Sequence, residues 1–403
     1  RSSAWRAPSL RIEEGPAGSG LRPAAAQPPC AAMAVLLLAS MLAVSPMASL
    51  AARITKTRSQ PDDPARAHSL EGYPEALCLD GSPGLYYFRP GSGTGQFKFL
   101  IFFQGGAFCT SHTDCAERAR HWLGSTRNDS ATLALTHPFF ARSSSRNPLL
   151  WNWNHVFVRY CDGAYFSGNR RDPQRLGETS IFYRGQSITE AVLSDLAGRK
   201  GLRSATDVVF SGCSAGAIRV FAHLEALRAM LPSGHARVVG FPDSGFYLDR
   251  PVFTPLKRWV ILGQNATGLL NGRCVEDNTG AEERCLLGAV VSPYLTSSVF
   301  AWQSRYDTDH WICEMNAACA ANSSCIKTYG DDLSEEVHLK LLSSGRHGVF
   351  LDSCKRHCSG EGYPVDDASE LTPTQAFAQW YAGNGRIYGQ NASFPCAECC
   401  GAG

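Results

Sequence analysis

Apolar runs of strand length alternate with amphipathic segments of helical period along most of the chain from Leu70 onward. The runs that predict buried strands cover residues 97–103, 155–160, 207–210, 238–241 and 298–303. Helices are predicted over 188–196 and 217–231, where apolar side chains recur on one face. This alternation favours an α/β domain with a mostly parallel central sheet flanked by helices. Residues 271–325 carry five cysteines and predict a disulfide-tied insertion over the core.

The N-terminal part of the chain predicts a leader that precedes this domain. Residues 33–44 form an apolar run of signal-peptide length, and small residues follow it up to Ala52. The expected divisions are upstream or pro-sequence at 1–32, a signal peptide at 33–52, a linker at 53–70, a globular domain at 71–395 and a cysteine-rich tail at 396–403. A buried apolar helix is the alternative interpretation of the run at 33–44.

The cysteine content indicates an oxidising compartment. The chain has 16 cysteines, and it carries N-glycosylation sequons at Asn128, Asn265, Asn322 and Asn391. Lys and Arg number 38 against 36 Asp and Glu, so the basic excess of a nucleic-acid-binding protein is missing. After the N-terminal run, no apolar stretch is long enough to span a bilayer. We expect a secreted glycoprotein with no nucleic-acid partner and no stable membrane insertion, and protein partners stay open.

A G-x-S-x-G motif lies between a predicted strand and a predicted helix, in the segment FSGCSAG at 210–216. In that context the chain turns so sharply that only small residues fit beside the serine, which accounts for Gly212 and Gly216. The turn lifts the hydroxyl of Ser214 above the sheet edge, at a helix N-terminus whose N–H groups favour a developing oxyanion. Ser214 is therefore the candidate nucleophile, with a purely structural turn as the alternative.

A serine nucleophile needs a histidine base that a carboxylate orients, and in this architecture both follow the serine. The histidines beyond the nucleophile's helix are His235, His310, His338, His347 and His357. His357 is favoured because Cys354 and Cys358 flank its loop and could clamp it. Asp307 is the candidate acid because it closely follows the predicted strand at 298–303. The alternatives for the acid are Asp243, Asp249 and Asp309.

A second oxyanion donor is expected from a loop that follows an earlier strand. The segment QGGAFC at 104–109 comes directly after the apolar run at 97–103. Its small residues would let a substrate carbonyl approach the backbone. A plain glycine turn is the alternative interpretation of this segment.

Seven segments of the chain, taken in order, carry a family resemblance. They are FQGGAFC (103–109), NWNHVFVRYCDGAYFSGN (152–169), FYRGQSITEAVLSDL (182–196), SGCSAG (211–216), PDSGFYLD (242–249), RYDTDHW (305–311) and FLDSCKRHC (350–358). Together they resemble the pectin acetylesterase/Notum family of secreted serine carboxylesterases, and its plant-type pectin acetylesterase branch in particular. The likeness extends from about Leu85 to Tyr381 and is far more specific than the serine motif alone.

The resemblance implies an α/β-hydrolase-like fold that uses neither a metal nor a cofactor. It assigns the nucleophile to Ser214, the acid to Asp307 and the base to His357. The oxyanion donors that it implies are the backbone N–H groups of Gly106, Ala107 and Ala215. The expected chemistry is ester hydrolysis through an acyl-enzyme.

The leading functional hypothesis is a secreted carboxylesterase that removes acetyl groups from a cell-wall or other extracellular polysaccharide. The small residue Ala107 resembles the acetylesterase branch, since the lipid-deacylating branch has a tryptophan there. A Notum-like deacylase that removes a lipid acyl chain from a protein is the alternative, followed by an inactive secreted binding protein. The aromatic residues that could form a sugar platform are Trp151, Trp153, Tyr165 and Phe166.

Overall fold

The structure, a computed structural model, describes residues 63–232, 234, 236–315, 317–358, 366, 368–394, 396 and 400. The predicted pro-sequence and signal peptide (1–32 and 33–52) and the candidate histidine His235 lie outside the described residues. No helix of the described chain is long and apolar enough to cross a membrane.

A ten-stranded sheet forms the centre of the described chain. The strands are β1 (Ala65–Ser69), β2 (Leu85–Arg89), β3 (Lys98–Phe103), β4 (Thr132–Leu133), β5 (Asn154–Val158), β6 (Gln174–Leu176), β7 (Thr179–Ile181), β8 (Asp207–Cys213), β9 (Arg237–Asp243), β10 (Ser298–Ser304), β11 (Gly348–Asp352) and β12 (Ile387–Gly389). Their order in the large sheet is β12-β11-β10-β9-β8-β3-β5-β2-β1-β4, and β6 and β7 form a separate hairpin. Strands β12 to β5 pair in parallel, whereas β2, β1 and β4 pair antiparallel at one edge.

Helices connect the parallel strands and cover the sheet. The α-helices are α1 (His112–Arg118), α2 (Gly185–Arg199), α3 (Ala215–Ala229), α4 (Arg258–Gly263), α5 (Gly272–Asp277), α6 (Gly288–Val291), α7 (Thr308–Glu314), α8 (Ala317–Ala320), α9 (Ser323–Glu336) and α10 (Pro373–Tyr381). A π-helical turn, Val337–Leu341, continues α9. Helix α3 packs on β8 and β9, and its buried apolar residues include Val220, Phe221 and Leu224.

The register of the parallel strands brings several loops to one edge of the sheet. Phe103 at the end of β3 is opposite Gly212 near the end of β8, and Cys213 is opposite Asp243 at the end of β9. Farther along, Ser304 of β10 is opposite Asp352 of β11. Since ligands of open parallel sheets bind outside the carboxyl ends of the strands, the chemistry is expected at this edge.

The predicted architecture is confirmed. Each predicted strand and helix is present with boundaries shifted by a few residues, the sheet is mostly parallel, and the fold is α/β-hydrolase-like. The predicted insertion at 271–325 contains the disulfides Cys274–Cys285 and Cys319–Cys325.

Two of the predicted divisions differ from the structure at their ends. Strand β1 lies inside the segment 53–70 that was expected to be a linker, because its polar sequence ARAHS has no apolar run to mark a strand. It joins the sheet through backbone pairing with β2 and β4. In the expected tail, Cys400 forms a disulfide with Cys354, which ties it to the loop after β11.

Candidate active site

Ser214 occupies a strained turn between β8 and α3. Its backbone has φ 55° and ψ −120°, and its N–H donates to the carbonyl of Asp243 at 3.1 Å. A Cβ at Gly216 would overlap the carbonyl of Phe103, and one at Gly212 would collide with the backbone of Gly216. The turn therefore requires both glycines, and it is the strand–turn–helix arrangement that the sequence motif predicted.

Asp307 and His357 form a hydrogen-bonded pair beyond the ends of β10 and β11. The Nδ1–H of His357 donates to Oδ1 of Asp307 at 2.7 Å. The same oxygen accepts the backbone N–H groups of Asp309 at 3.0 Å and His310 at 3.3 Å, because Asp307 is the N-cap of α7. The carboxylate is thus fixed by its own helix and is completely buried. A buried carboxylate held in this way orients the imidazole that it contacts.

The electrostatics of this pair favour a charged carboxylate beside a basic imidazole. Burial raises the pKa of Asp307, but the charges of His310 and His357 and the hydrogen bond from His357 bring it below its ordinary value. Burial lowers the pKa of His357, but the charges of Asp307 and Asp309 and the hydrogen bond to Asp307 raise it above its ordinary value. His357 is therefore a stronger base than a free histidine.

The loop that carries His357 is anchored on both sides of the residue. Cys358 forms a disulfide with Cys213, the residue immediately before Ser214. Arg356 is buried, and its guanidinium donates to Asp243 at 3.0 Å, to Asp352 at 2.6 Å and to the carbonyl of Cys358 at 2.8 Å. These contacts join the ends of β9 and β11 to the histidine loop, a role of Arg356 that no sequence motif indicates.

Ser214 and His357 line one cavity of about 470 Å³. Within the described chain no hydrogen bond joins their side chains directly. Such contacts are often long in a ligand-free enzyme and close when substrate binds. The structure thus brings Asp307, His357 and Ser214 to one place, with the acid–base contact formed.

In the loop after β3, the carbonyl groups of Gly106 and Ala107 accept hydrogen bonds from side chains, whereas the N–H groups of these residues are free for another partner. The carbonyl of Gly106 accepts from Arg118, and that of Ala107 accepts from the hydroxyl of Tyr160 at 2.7 Å. The backbone N–H groups of Gly106, Ala107 and Ala215 have no hydrogen-bond partner among the described residues. All three residues line the cavity with Ser214, so their N–H groups are available to a negatively charged oxygen there.

The left-handed backbone of the loop explains part of its sequence. Gly106 has φ 151°, and a Cβ there would press against Leu123 and Tyr160. Ala107 has φ 56°, a conformation that costs about 1 kcal/mol for a residue with a Cβ. This strain is typical of functional loops and is offset by the surrounding contacts.

The remaining wall of the cavity is apolar. Its side chains come from several elements and are Phe108, Leu123, Tyr165, Ile218, Tyr247 and Phe253. Trp122 also lines the cavity and is 53% exposed. The one carboxylate among the lining residues, Asp309, accepts from the hydroxyl of Tyr247 at 2.8 Å. The cavity therefore offers an apolar surface larger than an acetyl group requires.

The alternative acids are engaged elsewhere. Asp243 pairs with Arg356 and with His137, whose Nε2 is 3.2 Å from it. Asp249 accepts from Arg284 at 2.8 Å. Among the described residues, neither aspartate makes a hydrogen bond to a candidate base beyond Ser214.

His310, an alternative candidate for the base, lies directly beside Asp307. Its Nε2 is 3.7 Å from Oδ2 of Asp307 and 3.3 Å from the carbonyl of Ser244. Burial lowers the pKa of His310 more than Asp307 raises it. Together Asp307, His310 and His357 could hold a metal ion, since their ligand atoms lie within 4.8 Å of one another. Two of these residues, Asp307 and His357, are already joined by the hydrogen bond between Oδ1 and Nδ1.

Of the four predicted aromatic platforms, only Tyr165 lines the cavity of Ser214, and it is buried. Trp153 and Phe166 fill the core against neighbouring rings. Trp151 is 36% exposed but lines a different cavity, together with Arg66 and Arg142. The exposed aromatic residue at the candidate site is Trp122, which the sequence analysis missed because it follows helix α1 in a polar stretch with no apolar period.

Comparison with known proteins adds three findings. The family model described as pectinacetylesterase matches residues 65–401. The chain is 26% identical over 350 residues to pectin acetylesterase 11 of Arabidopsis thaliana, an alignment that covers 80% of this chain and 87% of that protein. It is 29% identical over 299 residues to the palmitoleoyl-protein carboxylesterase NOTUM of Schmidtea mediterranea, covering 70% of this chain and 55% of that protein.

A solved structure supports the same architecture. The Wnt deacylase Notum from Drosophila aligns with a TM-score of 0.73 at 21% sequence identity, covering 84% of this chain and 99% of that one. At this identity the likeness establishes a shared fold. It agrees with the α/β-hydrolase-like sheet described above.

Proposed function

The chain belongs to the pectinacetylesterase family of carboxylic ester hydrolases, and on that premise we propose that it removes O-acetyl groups from an extracellular polysaccharide. The observation that carries the proposal is the hydrogen bond from His357 to the buried Asp307, with His357 lining the same cavity as the strained turn of Ser214. A strained serine beside an oriented histidine is the arrangement that activates a hydroxyl for attack on an ester.

In the proposed reaction, Nε2 of His357 accepts the hydroxyl proton of Ser214 while the serine oxygen bonds to the acetyl carbonyl carbon. The carbonyl oxygen becomes negatively charged, and the N–H groups of Gly106, Ala107 and Ala215 stabilise it. The imidazolium then donates its proton to the sugar oxygen as that C–O bond breaks, which leaves acetylated Ser214. Water deprotonated by His357 attacks this ester, releases acetate and restores the serine.

We favour an acetylated polysaccharide as the substrate because of how much of each relative's length aligns with this chain. The plant pectin acetylesterase aligns over 87% of its length, whereas the NOTUM relative aligns over 55% of its own. The six disulfides among the described residues favour a secreted protein. The four sequon asparagines are exposed, which suits glycosylation in the same compartment.

Removal of a longer acyl chain from a protein is the second candidate function. One observation favours it: the cavity beside Ser214 has a volume of about 470 Å³ and a largely apolar wall. An acetyl group would fill only a small part of that space. The two functions therefore differ in the length of the acyl group and in the nature of its carrier.

The test is release of product from acetylated pectin, acetylated xylan and an octanoylated peptide by the full purified chain. We expect acetate from at least one polysaccharide and slower cleavage of the peptide ester. The S214A variant should lose activity by several orders of magnitude, and S204A, which changes an exposed serine before β8, should retain it. Cleavage of the octanoylated peptide alone would overturn the acetylesterase proposal, and an active S214A would overturn the choice of nucleophile.

A further inference from the structure

Trp122 is unusual among the apolar side chains that the protein leaves in solvent. The large apolar residues with the greatest exposure in the described chain are Phe97, Trp122, Trp151, Leu176, Val252, Leu262, Leu339 and Ile387. Of these, Trp122 alone lines the cavity that contains Ser214. An indole that is 53% exposed at the mouth of a reactive cavity has a large surface available to a ligand.

The position of Trp122 is fixed by a buried arginine. The guanidinium of Arg159 lies 5.5 Å from the centroid of the indole ring, and it donates to the carbonyl of Trp122 at 2.6 Å. Arg159 is itself held by Asp129, with contacts of 2.6 and 3.0 Å. The hydrogen bond holds the backbone of Trp122, and the guanidinium favours one placement of the indole, which lowers the entropic cost of binding to the ring.

The same arginine connects Trp122 to the candidate oxyanion loop. Arg159 donates to Oε1 of Gln104 at 2.7 Å, and Gln104 immediately precedes Gly105 and Gly106 of that loop. The oxygen of Gln104 also accepts the backbone N–H of Tyr160 at 3.1 Å. A ligand that rests on Trp122 is therefore held at a defined position relative to the N–H groups beside Ser214.

We propose that Trp122 is the stacking platform for a pyranose ring of the substrate polysaccharide, next to the ring that carries the acetyl group. The proposal rests on the proposed function and names the subsite that recognises the polymer. Sugar rings present apolar C–H faces that pack on an indole, while their hydroxyl groups stay in water. The surroundings suit a hydrated ligand, since Arg120 and His121, which precede Trp122, are exposed. An acyl chain would instead pack against the buried part of the cavity wall, which Leu123 and Ile218 form.

The first test compares a polymeric and a small substrate. In W122A, KM for acetylated pectin should rise about tenfold, while kcat and the turnover of p-nitrophenyl acetate change by less than about threefold. W122F should restore most of the affinity because it keeps an aromatic face. W151A is the matched control, since Trp151 is an exposed tryptophan on a different cavity. Equal losses on both substrates, or no loss on pectin, would overturn the platform.

The second test separates this inference from the proposed function. Calorimetry measures binding of de-esterified oligogalacturonides and of xylo-oligosaccharides to S214A and to S214A/W122A, so it does not depend on hydrolysis. Binding that weakens about tenfold in the double variant supports the platform, even if the wild type releases no acetate and the proposed function fails. Absent binding, or equal binding by both proteins, overturns the platform even if acetate is released.

Discussion

Cys213 and Cys358 form a disulfide that joins the residue before the candidate nucleophile to the residue after the candidate base. They are 145 residues apart in the chain, and their Cα atoms lie 5.7 Å apart. The bond crosses from the end of β8 to the loop after β11 and so couples the turn of Ser214 to the loop of His357. Two loops that must act together are thereby kept together covalently.

Removal of this disulfide should reduce activity more than a comparable change elsewhere. In C213A/C358A the histidine loop loses a covalent anchor, so kcat should fall about 10- to 100-fold through poorer positioning. Unfolding free energy should fall by about 2–5 kcal/mol, because the bond closes a long loop of the unfolded chain. Esterase kinetics and thermal unfolding of the purified variants measure the two effects.

The control for this experiment is C319A/C325A, which removes a disulfide between residues six apart. That variant should lose less stability, since its loop is short, and should keep kcat within about threefold. A C213A/C358A protein with wild-type kcat would show that the bond stabilises the fold without positioning the base.

Some parts of the fold and of the site could be predicted from the sequence and others could not, and the difference has physical causes. Apolar periodicity and small residues mark local structure, so the strands and the turn of Ser214 were predictable. Pairing of Asp307 with His357 depends on the ends of β10 and β11 meeting, so the residues favoured these two but left alternatives open, and the family resemblance selected them. The partner of Cys213 was not predictable, because spacing does not determine disulfide connectivity. The role of Trp122 depends on exposure, which no local pattern encodes.

Replacement of Asp307 should change both the height and the position of the pH–rate profile. The base must be neutral to act, so kcat/KM rises with pH through the pKa of His357, which Asp307 and Asp309 raise above 6.5. In D307N the pKa of His357 falls, and the acidic limb should move to lower pH. At the same time kcat should drop by about 10⁴-fold, because the imidazole loses its orientation.

D309N is the matched control for that profile, because Asp309 also raises the pKa of His357 but makes no hydrogen bond to it. Its acidic limb should also move to lower pH, by less than in D307N, and kcat should fall by less than about tenfold. Profiles of the p-nitrophenyl acetate reaction between about pH 5 and about pH 10 include both the ordinary pKa of histidine and the value of about 9 for His357, so they record the acidic limb of each variant. A D307N limb that stays in place would contradict the assigned acid.

Arg356 should prove important for stability, because it separates two buried carboxylates. R356M leaves Asp243 and Asp352 facing one another without their cation, so unfolding free energy should fall by about 3–5 kcal/mol. R356M/D352N removes one of the two charges and should recover part of that loss. Urea unfolding of the variants measures these differences.

The control for Arg356 is R199M, which breaks the pair of Arg199 with Asp195. Arg199 is 71% exposed, so its loss should cost less than about 1 kcal/mol. If R356M and R199M were equally stable, the buried network would not support the histidine loop. R356K keeps the charge but lacks the planar fork, and we expect it to be intermediate.

Ile218 offers a way to decide how the apolar cavity is used. It lies one turn after Ser214 on α3, and its side chain lines the cavity and is almost completely shielded from solvent. Each methylene that the cavity buries contributes about 0.8 kcal/mol, so a larger side chain here removes binding energy from long acyl groups first. I218F should lower kcat/KM for p-nitrophenyl octanoate at least about tenfold and that for the acetate by less than about threefold. L262F makes a similar change at an exposed residue of α4 and should alter neither rate. A parallel loss on both esters would mean that long chains bind outside this cavity, and the apolar wall would then no longer favour the deacylase alternative.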